Sequence, residues 1–225
     1  MPAPIKITYY SDILCVWAWI GQRRLDQLVT KFGDRIEIES HFCSVFSDAW
    51  GKIEGGKGFD GFNAHLCEVA AQFPHVELNR RVWLEARPRS SASAHLFVKA
   101  IELIEAEDGA ALPWPERASA KAAWALRCRF FEQGQDISSY EVQCTIADAL
   151  GVARARIEEK LCTSEAITAL LRDYQTCSDH AIKGSPTFVM NEGRQRLFGN
   201  VGYRLIEANV LELLRNPPED QASWC

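Results

Sequence analysis

The chain has 225 residues, of which 47% are hydrophobic and 24% charged, and a net charge of −5. Those values fit one domain with an insertion, or two small domains, and exclude a disordered polymer. No Lys/Arg stripe is present to neutralise a phosphate backbone, which argues against nucleic acid. No apolar run approaches the ~20 residues of a membrane span, so no membrane partner is expected. Residues 1–10 lack a basic start followed by a long apolar core, so no secretory signal is expected. The eight cysteines are then expected as reduced thiols in a cytoplasmic protein. None of them forms a CxxC pair, and neither they nor the five histidines share a metal-like spacing, so no metal site is expected.

Residues 5–10 are rich in Ile, Thr and Tyr and predict a strand. A helix follows over about residues 17–32, with Leu25 and Leu28 at helical spacing and Gly33-Asp34 as its stop. Residues 35–43 alternate strictly and predict a second strand. Strand, helix, strand implies a parallel pair. The glycine-rich residues 51–61 read as a loop. From there to about residue 181 the period is helical. Phe59, Phe62, Leu66, Val69 and Phe73 make one stripe, and Ser93 is placed to cap a helix carrying Leu96, Ala100, Leu103 and Ile104. An Ala-rich helix covers residues 116–133. Ser138-Ser139-Tyr140-Glu141 reads as a capping box opening a helix that stops at Gly151. Thr163 is placed to cap a last helix with Ile167, Leu170, Leu171 and Tyr174 on its inner face.

The period then returns to two. Residues 185–190 predict a strand, Asn191-Glu192-Gly193 a hairpin turn, and residues 195–198 the partner strand. Gly199-Asn200 leads into a terminal helix carrying Leu205, Ile206, Val210, Leu213 and Leu214. Asn216-Pro217-Pro218 should end it, with a frayed tail beyond. A βαβ unit and a ββα unit supply complementary parts of one sheet, with a helical block between them. This is an α/β protein: a thioredoxin fold with a large all-helical insertion. Residues 1–55 and 163–218 are expected to form the thioredoxin-fold domain, and residues 56–162 the insertion.

Cys15 falls at the junction of the first strand and first helix. Free N–H groups and the dipole at a helix N-terminus favour a thiolate, by roughly 0.3–2 kcal/mol. A lowered thiol pKa is therefore expected. The run Cys15-Val16-Trp17-Ala18 has no second sulfur. Cys43, Cys67, Cys128, Cys144, Cys162 and Cys177 read as core or partly exposed thiols, and Cys225 as an exposed one.

Asp12-x-x-Cys15-x-Trp17, followed by Ile20-Gly21 and Arg24-Leu25, resembles the DsbA-like thioredoxin-fold proteins of the FrnE-like branch. Gly184-Ser185-Pro186-Thr187-Phe188, Gly199-Asn200 and Tyr203 extend the resemblance to the far end of the chain. Two-cysteine members carry Cys-Pro-Trp-Cys, where this chain has Val16 and Ala18. The superfamily includes kappa-class glutathione transferases and 2-hydroxychromene-2-carboxylate isomerases, which bind glutathione. The resemblance implies that Pro186 is cis and faces Cys15. It also implies that the backbone of Ser185 is free to pair with an extended peptide. Trp17, Ala18, Ser185, Pro186, Gly199 and Asn200 become the implied wall and substrate- or glutathione-binding set. Asn200 suits a helix N-cap, and its functional reading is recognition of the γ-glutamyl carboxylate of glutathione.

Without a second thiol at position 18, a mixed disulfide on Cys15 needs an external thiol to resolve it, and glutathione is the abundant cytoplasmic one. The first expectation is a thiol–disulfide oxidoreductase of monothiol type with Cys15 as nucleophile. One rival is a glutathione-dependent isomerase or transferase acting on a small aromatic breakdown product. Another is a non-catalytic module that holds extended peptides along the Pro186 edge. A homodimer stays open.

Overall fold

The computed structural model describes residues 3–109 and 111–215. Strand β1 (Ile5–Ser11) runs parallel to β2 (Ile36–Phe42), in register from Ile5 opposite Ile36 to Ser11 opposite Phe42. The helix between them, α1 (Val16–Phe32), makes the crossover and ends at Gly33, whose φ of 53° suits a residue without Cβ. On its other edge β1 pairs antiparallel with β3 (Thr187–Met190), which pairs antiparallel with β4 (Gln195–Phe198). The strand order is β2-β1-β3-β4, so both ends of the chain build one sheet. Its last helix, α10, spans Tyr203–Arg215.

The period of two in β1 sorts side chains between two cores. Ile7 and Tyr9 face Leu25, Leu28 and Phe32 of α1, together with Ile206 and Val210 of α10. Tyr10 turns the other way, onto Cys43, Cys177 and Val189. Each fully buried Leu or Ile contributes about 1.5–3 kcal/mol through area removed from water.

The middle of the chain is helical: α2 (Ala49–Glu54), α3 (Gly58–Ala70), α4 (Val82–Glu85), α5 (Ala92–Glu107), α6 (Ala118–Phe131), α7 (Tyr140–Leu150), α8 (Arg154–Cys162) and α9 (Glu165–Asp179). Trp83, Phe97, Phe130 and Phe131 form its centre. Helix α1 joins the two cores. Its Leu25 and Leu28 face the sheet, whereas its Trp19 stacks on Phe131 with centroids 4.9 Å apart. On the far side α9 is tied to β2 through buried Asp173, which accepts from the Phe42 amide at 2.8 Å and pairs with Lys99 and His41.

Several expectations need correction. Residues 51–61 are not a loop but most of α2 and the start of α3. The Asp48 carboxylate caps α2 by accepting from the Gly51 amide at 3.0 Å. A Cβ on Gly51 would collide with that carboxylate, so this glycine serves a cap rather than a turn. Ser91, not Ser93, precedes α5, and its hydroxyl is given to Asp12 instead of the helix. The capping box at Ser138 does not form: its hydroxyl bonds Asp136, and α7 begins after Ser139. Ser164, with a φ of 65°, precedes α9 in place of Thr163. The inner face of α9 carries Ala166, Leu170, Asp173 and Cys177, while Ile167 and Leu171 point to solvent. The expected stop at Asn216-Pro217-Pro218, the tail and Cys225 lie outside the described residues.

Candidate active site

Cys15 is the N-cap residue of α1, at the point where β1 hands over to the crossover helix. Its side chain does not cap the helix; the thiol instead donates to the Ser185 carbonyl at 3.2 Å. Ser185 is engaged a second time, because its hydroxyl accepts from the Asp12 amide at 2.9 Å. The Ser185–Pro186 peptide bond is cis. Two hydrogen bonds thus join residues from opposite ends of the chain, and the antiparallel pairing of β1 with β3 sets their register.

A cleft of about 210 Å³ opens beside the thiol, lined by Cys15, Trp17, Phe46, Phe62, Leu66 and Ser185 among others. Trp17 is half-buried and packs edge-on against Phe73 with centroids 6.0 Å apart. Exposed His65 stands among the lining residues. The walls are otherwise apolar, so the cleft suits a thioether- or disulfide-bearing group rather than an ion.

The expected site residues divide into two groups. Cys15, Trp17 and Ser185 line one cleft. Ala18 is fully buried, and its backbone N–H donates to the Cys15 carbonyl at 3.1 Å. The Pro186 carbonyl accepts from the Gly199 amide at 2.8 Å, which fixes the β4 exit beside the site. Asn200 is exposed and does not cap α10: that helix starts at Tyr203, and the Leu205 and Ile206 amides bond the Gly202 carbonyl. The N-cap reading of Asn200 is therefore corrected.

The expected drop in the Cys15 pKa is also corrected. Cys15 is 5% exposed, and burial pushes its thiol above the ordinary value. Hydrogen bonding from Ser185 and from the Ala18 and Trp17 amides pulls it down, and the Asp12 charge pushes it up again. Desolvation of the thiolate outweighs the helix terminus.

Asp12, singled out only as part of a motif, is the hub of the site. One carboxylate oxygen accepts from the Leu14 amide at 2.9 Å; the other accepts from the Phe46 amide at 2.9 Å and the Ser91 hydroxyl at 2.8 Å. These bonds hold the Cys15 loop, the segment after β2 and the start of α5 to one point. Asp12 is fully buried, and burial raises its pKa from 3.8 to about 6 despite its three donors. His95 lies behind it. The Ile13 amide donates to its Nε2 at 3.2 Å, so Nε2 carries the lone pair and Nδ1–H faces the Tyr174 hydroxyl, also at 3.2 Å. Burial holds His95 well below the usual imidazole range, in agreement with a neutral ring.

A second thiol lies deeper. Cys43 follows β2, with its amide bonded to the Ser11 carbonyl at 3.1 Å. It is buried, and burial, then the charges of Asp12, Cys177 and Cys15, push its pKa up. Nothing in its sequence neighbourhood distinguishes Cys43 from an ordinary strand-end residue. Among the described residues no group of three or more His, Cys, Asp or Glu is placed to hold a metal. No described helix is long and apolar enough to cross a membrane.

The family model of the DSBA-like thioredoxin domain matches residues 6–210. The chain belongs to that family. Among curated proteins, the ClpXP adapter protein SpxH of Halalkalibacterium halodurans is 23% identical over 227 residues, which is 97% of this chain and 70% of the relative. A candidate protein disulfide isomerase from Nitrosomonas europaea shares the fold with a TM-score of 0.75 at 15% identity, over 96% of this chain and all of that one. The cytosolic disulfide reductase DsbM from Pseudomonas aeruginosa does so with a TM-score of 0.66 at 16% identity, over 93% of this chain and all of that one. DsbM has also been solved with GSH.

Proposed function

We propose that this DSBA-like protein is a thiol–disulfide oxidoreductase of monothiol type, working with glutathione as its external thiol in a cytoplasmic setting. The observation that carries this reading is the position of Cys15: its sulfur is at the N-terminus of α1, bonded to the Ser185 carbonyl, and is the one thiol among the described residues lining the cleft. On this reading residues 1–55 and 163–218 act as the thioredoxin-fold domain, and the inserted residues 56–162 supply the Phe62 and Leu66 wall.

The reaction has two balanced steps. The Cys15 thiolate attacks one sulfur of a substrate disulfide, forming a mixed disulfide and expelling the other sulfur as a thiolate, which takes up the proton released from Cys15. A glutathione thiolate then attacks the substrate sulfur of the mixed disulfide. That step returns Cys15 as a thiolate and leaves substrate and glutathione joined as a second disulfide. Ala18 supplies no competing thiol beside Cys15. A substrate N–H that pairs with the Ser185 carbonyl would take the place of the Cys15 S–H there and free the sulfur. The raised pKa makes Cys15 a poor leaving group, so its mixed disulfide is long-lived. Glutathione enters as a reactant in the second step; Asn200 lies exposed, ahead of α10.

A second reading is a module that holds peptides without turnover. It draws on the burial of Cys15 and on the SpxH relative, whose name is that of an adapter. Incubation with oxidised glutathione, followed by intact mass and peptide mapping, separates the two. The oxidoreductase reading expects one glutathione adduct on Cys15, and glutathione-coupled reduction of a model disulfide that is lost in Cys15→Ser. Full activity in Cys15→Ser would overturn it, and so would wild type that neither forms the adduct nor turns over. An internal Cys15–Cys43 disulfide in place of the adduct would overturn the monothiol assignment.

A further inference from the structure

Arg127 in α6 is 3% exposed and has no acidic partner among the described residues. Among the described residues its single side-chain hydrogen bond runs from Nη2 to the Ser11 hydroxyl at 2.9 Å, and its Nε has none. Asp12 feels its charge, but the Asp12 oxygens are already taken by Leu14, Phe46 and Ser91. A desolvated guanidinium lacking a counter-ion is costly, and a native fold retains one where something neutralises it.

Arg127 lines a largely enclosed cavity of about 90 Å³ between the β1–β2 face of the sheet and helices α5 and α6. At about 30 Å³ of liquid volume per water, that space holds roughly three water-sized groups. Its walls include Tyr9, Phe42 and Trp114. The Trp114 indole is pinned across it by donating to the Ser40 hydroxyl at 2.8 Å. Two carboxylates also reach the lining, and both are already paired: Glu39 with Lys6 and His41, and Glu102 with Lys99. This cavity shares no lining residue with the Cys15 cleft.

We propose that the cavity is a binding site for a small monocarboxylate, with the guanidinium of Arg127 holding the carboxylate and the aromatic walls holding a short apolar body. A guanidinium fork matches a planar carboxylate, and its unpartnered Nε completes one prong of a bidentate contact. A planar, singly charged ligand fits better than phosphate, because the walls are mainly apolar and Glu39 and Glu102 reach the lining; Arg117 reaches it too, with its Nε given to the Leu112 carbonyl. The volume limits the ligand to about three to five non-hydrogen atoms.

The test is thermal unfolding of the full chain at constant ionic strength with acetate, propionate, acetamide or inorganic phosphate. Acetate and propionate should raise Tm saturably, by about 5–10 °C at a hundredfold excess over the dissociation constant. Acetamide, a neutral isostere of acetate, should give no shift, and phosphate should give less than either acid. Arg127→Met should remove the response. If that variant does not fold, Ala123→Leu, which fills the cavity and keeps the guanidinium, should remove it instead. No shift in wild type overturns the site. An equal shift with acetamide, or a shift surviving in a folded variant, overturns the role of Arg127 or of the cavity. A phosphate response matching that of the acids overturns the carboxylate assignment. None of these outcomes bears on Cys15.

Discussion

Asp12→Asn tests whether a buried charge organises the site. In the folded protein burial raises the Asp12 pKa from 3.8 to about 6, a shift of about 2 units, or roughly 3 kcal/mol at 1.36 kcal/mol per unit. A carboxyl whose folded pKa is raised stabilises the fold in its neutral form. That contribution is complete below pH 3.8 and is lost as pH rises through about 6. Wild type should therefore lose roughly 3 kcal/mol between pH 4 and pH 7 through this group alone. Asparagine does not titrate, so the stability of wild type minus that of the variant should fall by the same amount over that window. The offset at pH 7 comes from opposed effects. Asparagine removes the buried charge, but its NH2 group replaces an oxygen that accepts from the Phe46 amide and the Ser91 hydroxyl. Ser91 can rotate to accept, whereas the Phe46 amide loses its partner at a cost of about 1–3 kcal/mol. Urea unfolding of both proteins from pH 4 to pH 7.5 measures the difference, and titrations elsewhere cancel. A pH-independent difference, or one that rises with pH, would refute the argument.

The other expectations concern individual residues. Mass-resolved alkylation of Cys15 should speed up continuously through pH 9 with no plateau below it, because burial holds the thiol above its ordinary value; a plateau near pH 7 would show a thiolate stabilised by the helix. The Asp12→Asn variant should alkylate faster at Cys15 at a given pH, since the Asp12 charge is one of the groups raising that thiol. Gly51→Ala should lower stability by about 0.5–2 kcal/mol in urea titration, because the added Cβ displaces the Asp48 cap of α2. Ala18→Cys should give a disulfide with Cys15, visible by peptide mapping after mild oxidation, and should convert glutathione-dependent turnover into direct dithiol exchange.

Fold order was legible because the hydrophobic period changes twice, from two to about 3.6 and back, and each change carries its own side-chain arithmetic. Parallel pairing followed from βαβ connectivity. The return of the chain to the same sheet followed from a ββα unit with no other partner. Helix starts were less legible. Ser93, Ser138 and Thr163 all look like caps, yet in the structure their hydroxyls bond the Ser138 carbonyl, Asp136, and Glu159 and Glu165 respectively. A side chain offered to a helix end can be claimed by a closer or more strongly charged acceptor, and sequence spacing does not show which acceptor is near. The site followed the same rule. The positions of Cys15 and Ser185 were readable from motifs, but the sign of the Cys15 pKa shift was not. The helix terminus is a local property visible in the chain, whereas desolvation depends on Phe46, Phe62 and Leu66 arriving from distant segments. Arg127 makes the case most clearly. Nothing in the Ala-rich helix marks it, but the fold buries it beside Ser11 and leaves a charge for the fold, or a ligand, to neutralise.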